Sequence, residues 1–448
     1  MSKYVTEIKE DQFGKLIEKS DKPVILDFYS TECPPCEALA PKFEEYAELF
    51  HEHIHFYKIF RQENRKLADD LNIKSSPTLI FFNNGRETAE RLSGGIRKQE
   101  LKDIIQTIIS PDIFQKAMSE RKKTLRKADV VILGGGPAGL TAAIYAAQAK
   151  LKTIVIDPAL PGGQVATTHM ISNYPGTGGP VPGWELAHKT QEQAKESGAE
   201  ILAAVDITSL KCSKIGETHH VQIDEDIEIE SPVVILAMGA EPRKLGIPGE
   251  KEYKGKGISY CATCDGKYYD GKEVVVIGGG NSAIEESIFL TRFATKVTIV
   301  HQFETLQANK TAQEHAHENN KIEFIMSSEP RSFELTEDNK MAVTIENVKT
   351  GEVSRLNTDG IFVFIGMVPN AGHLPDSLDK NHWGYILTNE DMETNLPGVY
   401  AAGDIRSKKI RQAATAVSDG CIAAINAEKY LENLGIRDRE RELLGLQV

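Results

Sequence analysis

Along this chain, short apolar runs bounded by glycine, proline and asparagine alternate with longer stretches in which apolar residues recur at helical spacing. Pro23-Val-Ile-Leu-Asp-Phe-Tyr29 is one such run and predicts a buried strand, with Cys33-Pro-Pro-Cys36 directly after it. From Glu37 to Phe50 the spacing turns helical, placing Leu39, Phe43, Tyr46, Leu49 and Phe50 on one side, and Pro41 predicts a kink. Ile54 to Phe60 and Pro77 to Phe82 predict two more strands, the second turned back at Asn83-Asn84-Gly85; Gln99 to Ile109 predicts a closing helix. Residues 1–110 therefore read as one unit. Pro111 and the basic run Arg121-Lys122-Lys123-Thr124-Leu125-Arg126-Lys127 follow, so residues 111–127 read as a solvated linker.

The remainder carries one pattern twice. Val130-Val-Ile-Leu-Gly134-Gly-Gly136-Pro137-Ala138-Gly139 is strand, glycine turn and helix, and Val274-Val-Val-Ile-Gly278-Gly-Gly280-Asn281-Ser282-Ala283 repeats it. A further strand follows each, Thr153 to Asp157 and Lys296 to His301. In such a turn the first glycine permits the bend, the second lets the backbone approach a pyrophosphate, and the third lets helix and strand pack closely. The helix N-terminus then offers free N–H groups to phosphate. Asp157 ends its strand where a ribose hydroxyl would need an acceptor. Two such units predict two dinucleotides, or one dinucleotide and a relic. Later strands are expected at Val233 to Ala237 and Gly360 to Ile365, and residues 385–427 return to helix and loop.

Composition narrows the function classes. The 448 residues are 40% hydrophobic and 26% charged, ordinary for a folded protein of about three domains. A balance of 52 Lys+Arg against 65 Asp+Glu, net −13, argues against nucleic acid as a partner. No run of apolar residues is long enough to span a membrane. The opening MSKYVTEIKEDQFGKL has no basic segment leading into an apolar core, so a cytoplasmic location is expected.

There, close cysteine pairs suggest redox catalysis or zinc. Four of the six cysteines form two C-x-x-C pairs, Cys33/Cys36 and Cys261/Cys264. A redox cysteine needs a lowered pKa, which a helix N-terminus supplies, and its neighbour resolves the mixed disulfide. Cys33 lies between a predicted strand and a predicted helix, as this requires. Pro77 could be a cis proline beside it, and Asp27 either a buried acid that handles protons or a structural carboxylate. Asp265 adjoins Cys264 and could shuttle a proton. One zinc held by all four thiolates is the competing reading; the two pairs lie in different apparent domains and lack the knuckle glycines of zinc ribbons. Cys212 and Cys421 read as small buried hydrophobes, and the alternating His51, His53 and His55 as an exposed edge.

Together these residues resemble a known family. From Ala128 onward the chain resembles low-molecular-weight thioredoxin reductase, through Gly134 to Gly139, Gly162-Gly163-Gln164, Asn173-Tyr-Pro-Gly176, Cys261-Ala-Thr-Cys264-Asp265-Gly266, Gly278 to Ala283, and Gly403-Asp404 with Arg411-Gln412-Ala413. Residues 1–110 resemble thioredoxin, with Asp27, Cys33, Cys36, Lys58 and Pro77 at its functional positions. The resemblance implies an α/β architecture: a thioredoxin fold followed by two Rossmann-like domains. It places an FAD-binding domain at 128–240 and 367–448, interrupted by a nicotinamide-binding domain at 241–366 that carries the second redox pair. It implies FAD at Gly134–Gly139, Asp157, Gly162–Gln164, Asn173, Asp404 and Arg411–Ala413, and NADH or NADPH at Gly278, Gly280, Asn281, Ser282, Ala283 and Gln302. Cys264 would face the flavin, Cys261 would attack the acceptor disulfide with Asp265 as acid/base, and in the module Cys33 would be nucleophile and Cys36 resolver. It further implies a homodimer, rotation of the nicotinamide domain, and a disulfide-bearing acceptor such as a peroxiredoxin.

Three departures matter. Glu32-Cys33-Pro34-Pro35-Cys36 replaces Trp-Cys-Gly-Pro-Cys, and Glu32 would raise the pKa of the adjacent thiol. Where NADPH-specific relatives carry arginines, this chain has His301-Gln302-Phe303 and Gln307; a 2′-phosphate wants bidentate arginine, so NADH preference is expected. The NADH-using flavoprotein of alkyl hydroperoxide reductase is similar, although it carries two thioredoxin-like folds ahead of its reductase. Third, reductase and thioredoxin are fused, which raises the acceptor's effective concentration. Two rival readings are a flavoprotein fed by another donor, such as ferredoxin, and an FAD-holding redox sensor without rapid turnover.

Overall fold

The computed structural model describes residues 3–31, 33–121, 123–168, 170–171, 173–224 and 226–435. It forms two compact units: Met1–Gly163, Ala187–Gly239 and Ala371–Val448 make the first, and Gln164–Leu186 with Ala240–Asn370 the second. Among the described residues no helix is long and apolar enough to cross a membrane.

The first unit opens with a sheet ordered Val5–Glu7, His55–Phe60, Val24–Tyr29, Thr78–Asn83, Arg86–Glu87, with Leu92–Ser93 also on Thr78–Asn83. The first three strands are parallel and Thr78–Asn83 runs antiparallel to Val24–Tyr29. Val24, Ile25, Leu26 and Phe28 are fully buried because helices cover both faces. The helix Pro34–Phe50 keeps Pro41 in its interior and buries Leu39, Phe43, Tyr46 and Phe50. The helix Lys98–Ile108 closes the module.

Residues 111–127 depart from the solvated linker expected of them. Pro111–Ser119 is a helix, and its Phe114 stacks on Phe50 at 5.9 Å within the module's core. Thr124–Lys127 is a strand paired in parallel with Ile227–Ser231. The basic run misleads because several of its charges have partners: the Arg121 side chain is buried between Glu45 and Asp226, and Arg126 pairs with Glu200.

Next comes a parallel sheet ordered Glu200–Ala203, Thr153–Asp157, Val130–Leu133, Val233–Leu236, Val399–Ala401. The helix Pro137–Gln148 packs on it beside Ala413–Asn433, and small residues allow the approach. At Gly420 a Cβ would strike the Ala138 carbonyl. A four-stranded sheet, Ile207–Lys211, His219–Ile223, Ile227–Ser231 and Thr124–Lys127, completes this half.

The second unit repeats the parallel arrangement, ordered Ile258–Ser259, Gly360–Val363, Glu273–Ile277, Lys296–Val300, Ile322–Ile325. An antiparallel sheet of Ser328–Leu335, Met341–Asn347 and Val353–Thr358 accompanies it. The glycine turns leave the two parallel sheets at Leu133 and Ile277, the carboxyl ends of central strands, where open α/β sheets bind ligands.

Candidate active site: two disulfides and two glycine turns

Both C-x-x-C motifs are closed as disulfides, Cys33–Cys36 and Cys261–Cys264, with Cα atoms 5.2 and 5.3 Å apart. Each first cysteine caps a helix. The Cys36 N–H donates to Cys33 Sγ at 3.3 Å, and the Cys264 N–H to Cys261 Sγ at 3.2 Å. After reduction the same amides and helix dipole would favour a thiolate on the first sulfur.

Around Cys33 the Ser76 carbonyl lies 3.5 Å from Sγ, and the Ser76–Pro77 peptide is cis, as the position of Pro77 suggested. Asp27 pairs in register with Lys58. Its carboxyl is buried and Oδ1 has no hydrogen-bond partner; burial pushes its pKa up to about 7, against the opposing pull of Lys58. Glu32 lies outside the described residues.

Cys261 and Cys264 are half-buried. Ser259 organises their loop: its Oγ receives the Cys261 N–H at 3.1 Å and donates to Asp265 Oδ2 at 2.6 Å. One carboxylate oxygen beside the pair is thus fixed. Glu286, on the helix Asn281–Leu290, accepts from the Thr263 N–H; its Oε2 is buried without a hydrogen-bond partner, and burial holds its pKa above the usual carboxylate range.

The first glycine turn is shaped for a dinucleotide. Gly134 has φ +105°, and a Cβ there would strike the Ala237 carbonyl; at Gly139 it would strike the Gly134 carbonyl. Gly136 caps Pro137–Gln148, and a Cβ on it would meet only Gly163 at 3.9 Å, so the helix N-terminus opens on free space. Asp157 is buried. It accepts from the Gly135 N–H at 2.6 Å and the Ala159 N–H at 2.8 Å, and burial raises its pKa although both bonds oppose the shift. The acid expected to meet a ribose therefore also ties the turn to the next loop, where the Gly162 N–H reaches the Gly135 carbonyl at 2.6 Å. Gln164 and Asn173 fall in the second unit, and Gln164 Nε2 donates to the Ala240 carbonyl.

Asp404 sits in the turn Gly403–Ile405. Its buried Oδ1 lacks a hydrogen-bond partner, with Lys408 3.6 Å away, and burial raises its pKa. Arg411 lies over Tyr385, 4.2 Å from the ring centre, and its Nε is buried without a hydrogen-bond partner. Gln412 caps the helix that begins at Ala413. These orphaned polar atoms and the open glycine turn fit a flavin dinucleotide, with hydroxyls for the carboxyl groups and a phosphate for the amides.

The second turn keeps the same geometry. Gly278 has φ +135°, and Ala283, fully buried, stands where the third glycine would. Gly280 has nothing within 4 Å of an added Cβ. Asn281 Oδ1 holds the Asn309 N–H at 2.7 Å, while Ser282 and Gln302 are exposed. The His301 ring lies against Gly279 and edge-on to Phe303, and burial lowers its pKa. Glu304 pairs with Lys349.

A family model described as pyridine nucleotide-disulphide oxidoreductase matches residues 128–420, and one for thioredoxin matches 4–107. The chain belongs to the pyridine nucleotide-disulphide oxidoreductases. Within that family it is 45% identical over 313 residues to a thioredoxin reductase of Bacillus subtilis, covering 68% of this chain and 95% of that one. It is 47% identical over 312 residues to a 34.2 kDa protein in the rubredoxin operon of Clostridium pasteurianum, covering 69% of this chain and 99% of the relative. The thioredoxin reductase of Streptococcus pyogenes matches in structure with a TM-score of 0.64 at 41% identity, over 68% of this chain and 99% of that one. The mixed α/β architecture expected from the sequence is the one observed, a thioredoxin domain ahead of Rossmann-like domains.

As a pyridine nucleotide-disulphide oxidoreductase the chain is an enzyme of flavin and nicotinamide chemistry acting on disulfides. Its first unit brings together Gly134, Gly136, Pro137, Ala138, Gly139, Asp157, Gly162 and Gly163 around one turn. Gly403 packs against Ala138, which places Asp404 on the same side. Beneath Asp404, Asp419 accepts from Arg406 and Lys408, each at 2.9 Å. Neither this cluster nor the Ser259 hydroxyl was foreseen; single polar residues in loops carry no periodic signal.

Proposed function

We propose that this chain is a thioredoxin reductase carrying its own thioredoxin module. It would oxidise a nicotinamide nucleotide, NADH in preference to NADPH, and pass the electron pair by way of FAD and Cys261–Cys264 to Cys33–Cys36 and then to an external protein disulfide such as that of a peroxiredoxin. The observation that carries this reading is the pairing of two helix-capping disulfides with two open glycine turns in one chain. The match to the Bacillus subtilis thioredoxin reductase covers 68% of this chain, and the oxidoreductase and thioredoxin family models match separate parts of it, 128–420 and 4–107.

FAD, held at Gly134–Gly139, Asp157, Asp404 and Arg411–Ala413, supplies a two-electron carrier between nucleotide and disulfide. The remaining chemistry belongs to the cysteines. Once reduced, Cys261 attacks Cys33; the new sulfur–sulfur bond forms as Cys33–Cys36 breaks, and Cys36 leaves as a thiolate that Asp27 can protonate. Cys264 then attacks Cys261, which restores the inner disulfide and frees Cys33. Ser259 orients Asp265 for proton transfer to the inner pair. Over the cycle one NADH and one proton convert a disulfide into two thiols.

NADH preference rests on the uncharged Gln302 and Phe303 after the 296–300 strand, where a 2′-phosphate would need arginine. A homodimer in the cytoplasm is part of the same reading. The test is steady-state reduction of a protein disulfide with each nucleotide: the reading requires turnover with NADH that stops when Cys33 is replaced by Ser.

A further inference from the structure

The thioredoxin module meets the flavin-binding half of the first unit through a buried, charge-matched surface. Lys42, on the helix Pro34–Phe50, is 7% exposed. Its ammonium donates to the carbonyls of Ala203 at 2.9 Å and Ala204 at 2.6 Å, the last residue of the strand Glu200–Ala203 and the one after it, and to Ile96 within the module at 3.4 Å. Lys98, 4% exposed, bridges Glu45 of the module at 2.6 Å and Asp226 of the flavin-binding half at 3.3 Å. Arg121 makes the same bridge at 2.7 and 2.8 Å. At the rim Arg97 faces Asp206 at 3.4 Å. Cations from the module side thus meet carboxylates and carbonyls on the other, and an ammonium leaves water only where such partners are fixed.

The surface also takes in an edge of the outer disulfide's surroundings. The Gly94 N–H bonds the Pro77 carbonyl beside Cys33, and the next residue, Gly95, lies against Leu160 of the flavin-binding half. Cys33 and Cys36 are each only 8% exposed. Disulfide exchange requires the attacking sulfur to reach its target sulfur, and with both sulfurs this buried neither Cys261 nor an outside protein disulfide reaches them while the module is held at this edge.

We propose that this surface is a dock for the chain's own thioredoxin module, holding it parked, and that delivery of electrons to an outside disulfide requires the module to leave. This rests on the relay reading above. In the delivery step the module's two thiols become a disulfide as the outside disulfide becomes two thiols.

The test uses the full flavin-loaded chain, with Lys42→Ala, Asp226→Lys and the rim variant Arg97→Glu. Small-angle scattering reads module release; reduction of insulin disulfides reads delivery; ferricyanide reduction reads the flavin and nucleotide path. Removing a buried ammonium from its fixed carbonyls, or reversing the carboxylate of a buried charge pair, should shift the docked-to-released ratio about thirtyfold or more. Lys42→Ala and Asp226→Lys should therefore enlarge the radius of gyration and raise insulin reduction about threefold or more, with ferricyanide reduction unchanged. Arg97→Glu and added salt should act in the same direction more weakly, because exposed pairs are screened. Unchanged scattering in all three variants would overturn the dock. Release with unchanged or slower insulin reduction would overturn the parking. Failure of the relay itself would show separately, as wild type and released variants alike that never reduce insulin.

Discussion

At the scale of single residues, each side chain's chemistry follows from what its backbone position allows. Cys264 follows a helix-capping cysteine and forms the inner pair. Cys264→Ser should leave the flavin bound and reducible by NADH while disulfide turnover falls about a thousandfold or more, read by rapid mixing and steady-state assay. Replacing Gln302 and Phe303 by Arg should move preference toward NADPH by roughly 10- to 100-fold, because a hydrogen bond to a charged group contributes about 1.5–3 kcal/mol; the ratio of kcat/KM values measures it. Asp27 has a folded pKa near 7 against an ordinary 3.8, raised chiefly by burial. The folded state then holds the extra proton between those values, so stability should fall as pH rises from about 4 to about 7. Asp27→Asn should remove that slope and stabilise the oxidised chain above pH 7 by about 2–4 kcal/mol. Thermal unfolding of variant and wild type at pH 5 and pH 8 checks the sign.

At the scale of elements, the two glycine turns differ by one position in a way packing explains. Gly139 faces the Gly134 carbonyl so closely that a methyl group cannot enter, whereas Ala283 occupies the matching place in the second turn. Gly139→Ala should push its helix off the turn and weaken flavin binding at least tenfold, measured by release of flavin fluorescence on dilution. These turns were legible in the sequence because strand, glycine spacing and helix lie in consecutive residues. The antiparallel sheet 328–358 was not, since its alternation is broken by charged residues and its burial comes from the neighbouring sheet. Residues 111–127 mislead for a related reason: composition shows the cations but not Glu45 and Asp226, which lie far off in sequence. Lys42 gave no signal, because a lysine on a helix reads as solvated until its acceptors at Ala203 and Ala204 are in place.

At the scale of the whole molecule, the central claim is that electrons entering at the nicotinamide turn reach the outer disulfide. The chain holds two disulfides, Cys33–Cys36 and Cys261–Cys264, and two free cysteines, Cys212 and Cys421. Anaerobic incubation with excess NADH followed by thiol titration counts what has been reached. The relay predicts four new thiols per chain in the wild type, two from each disulfide, and two when Cys33 and Cys36 are both replaced by Ser. A wild-type chain that gains only two would contradict it.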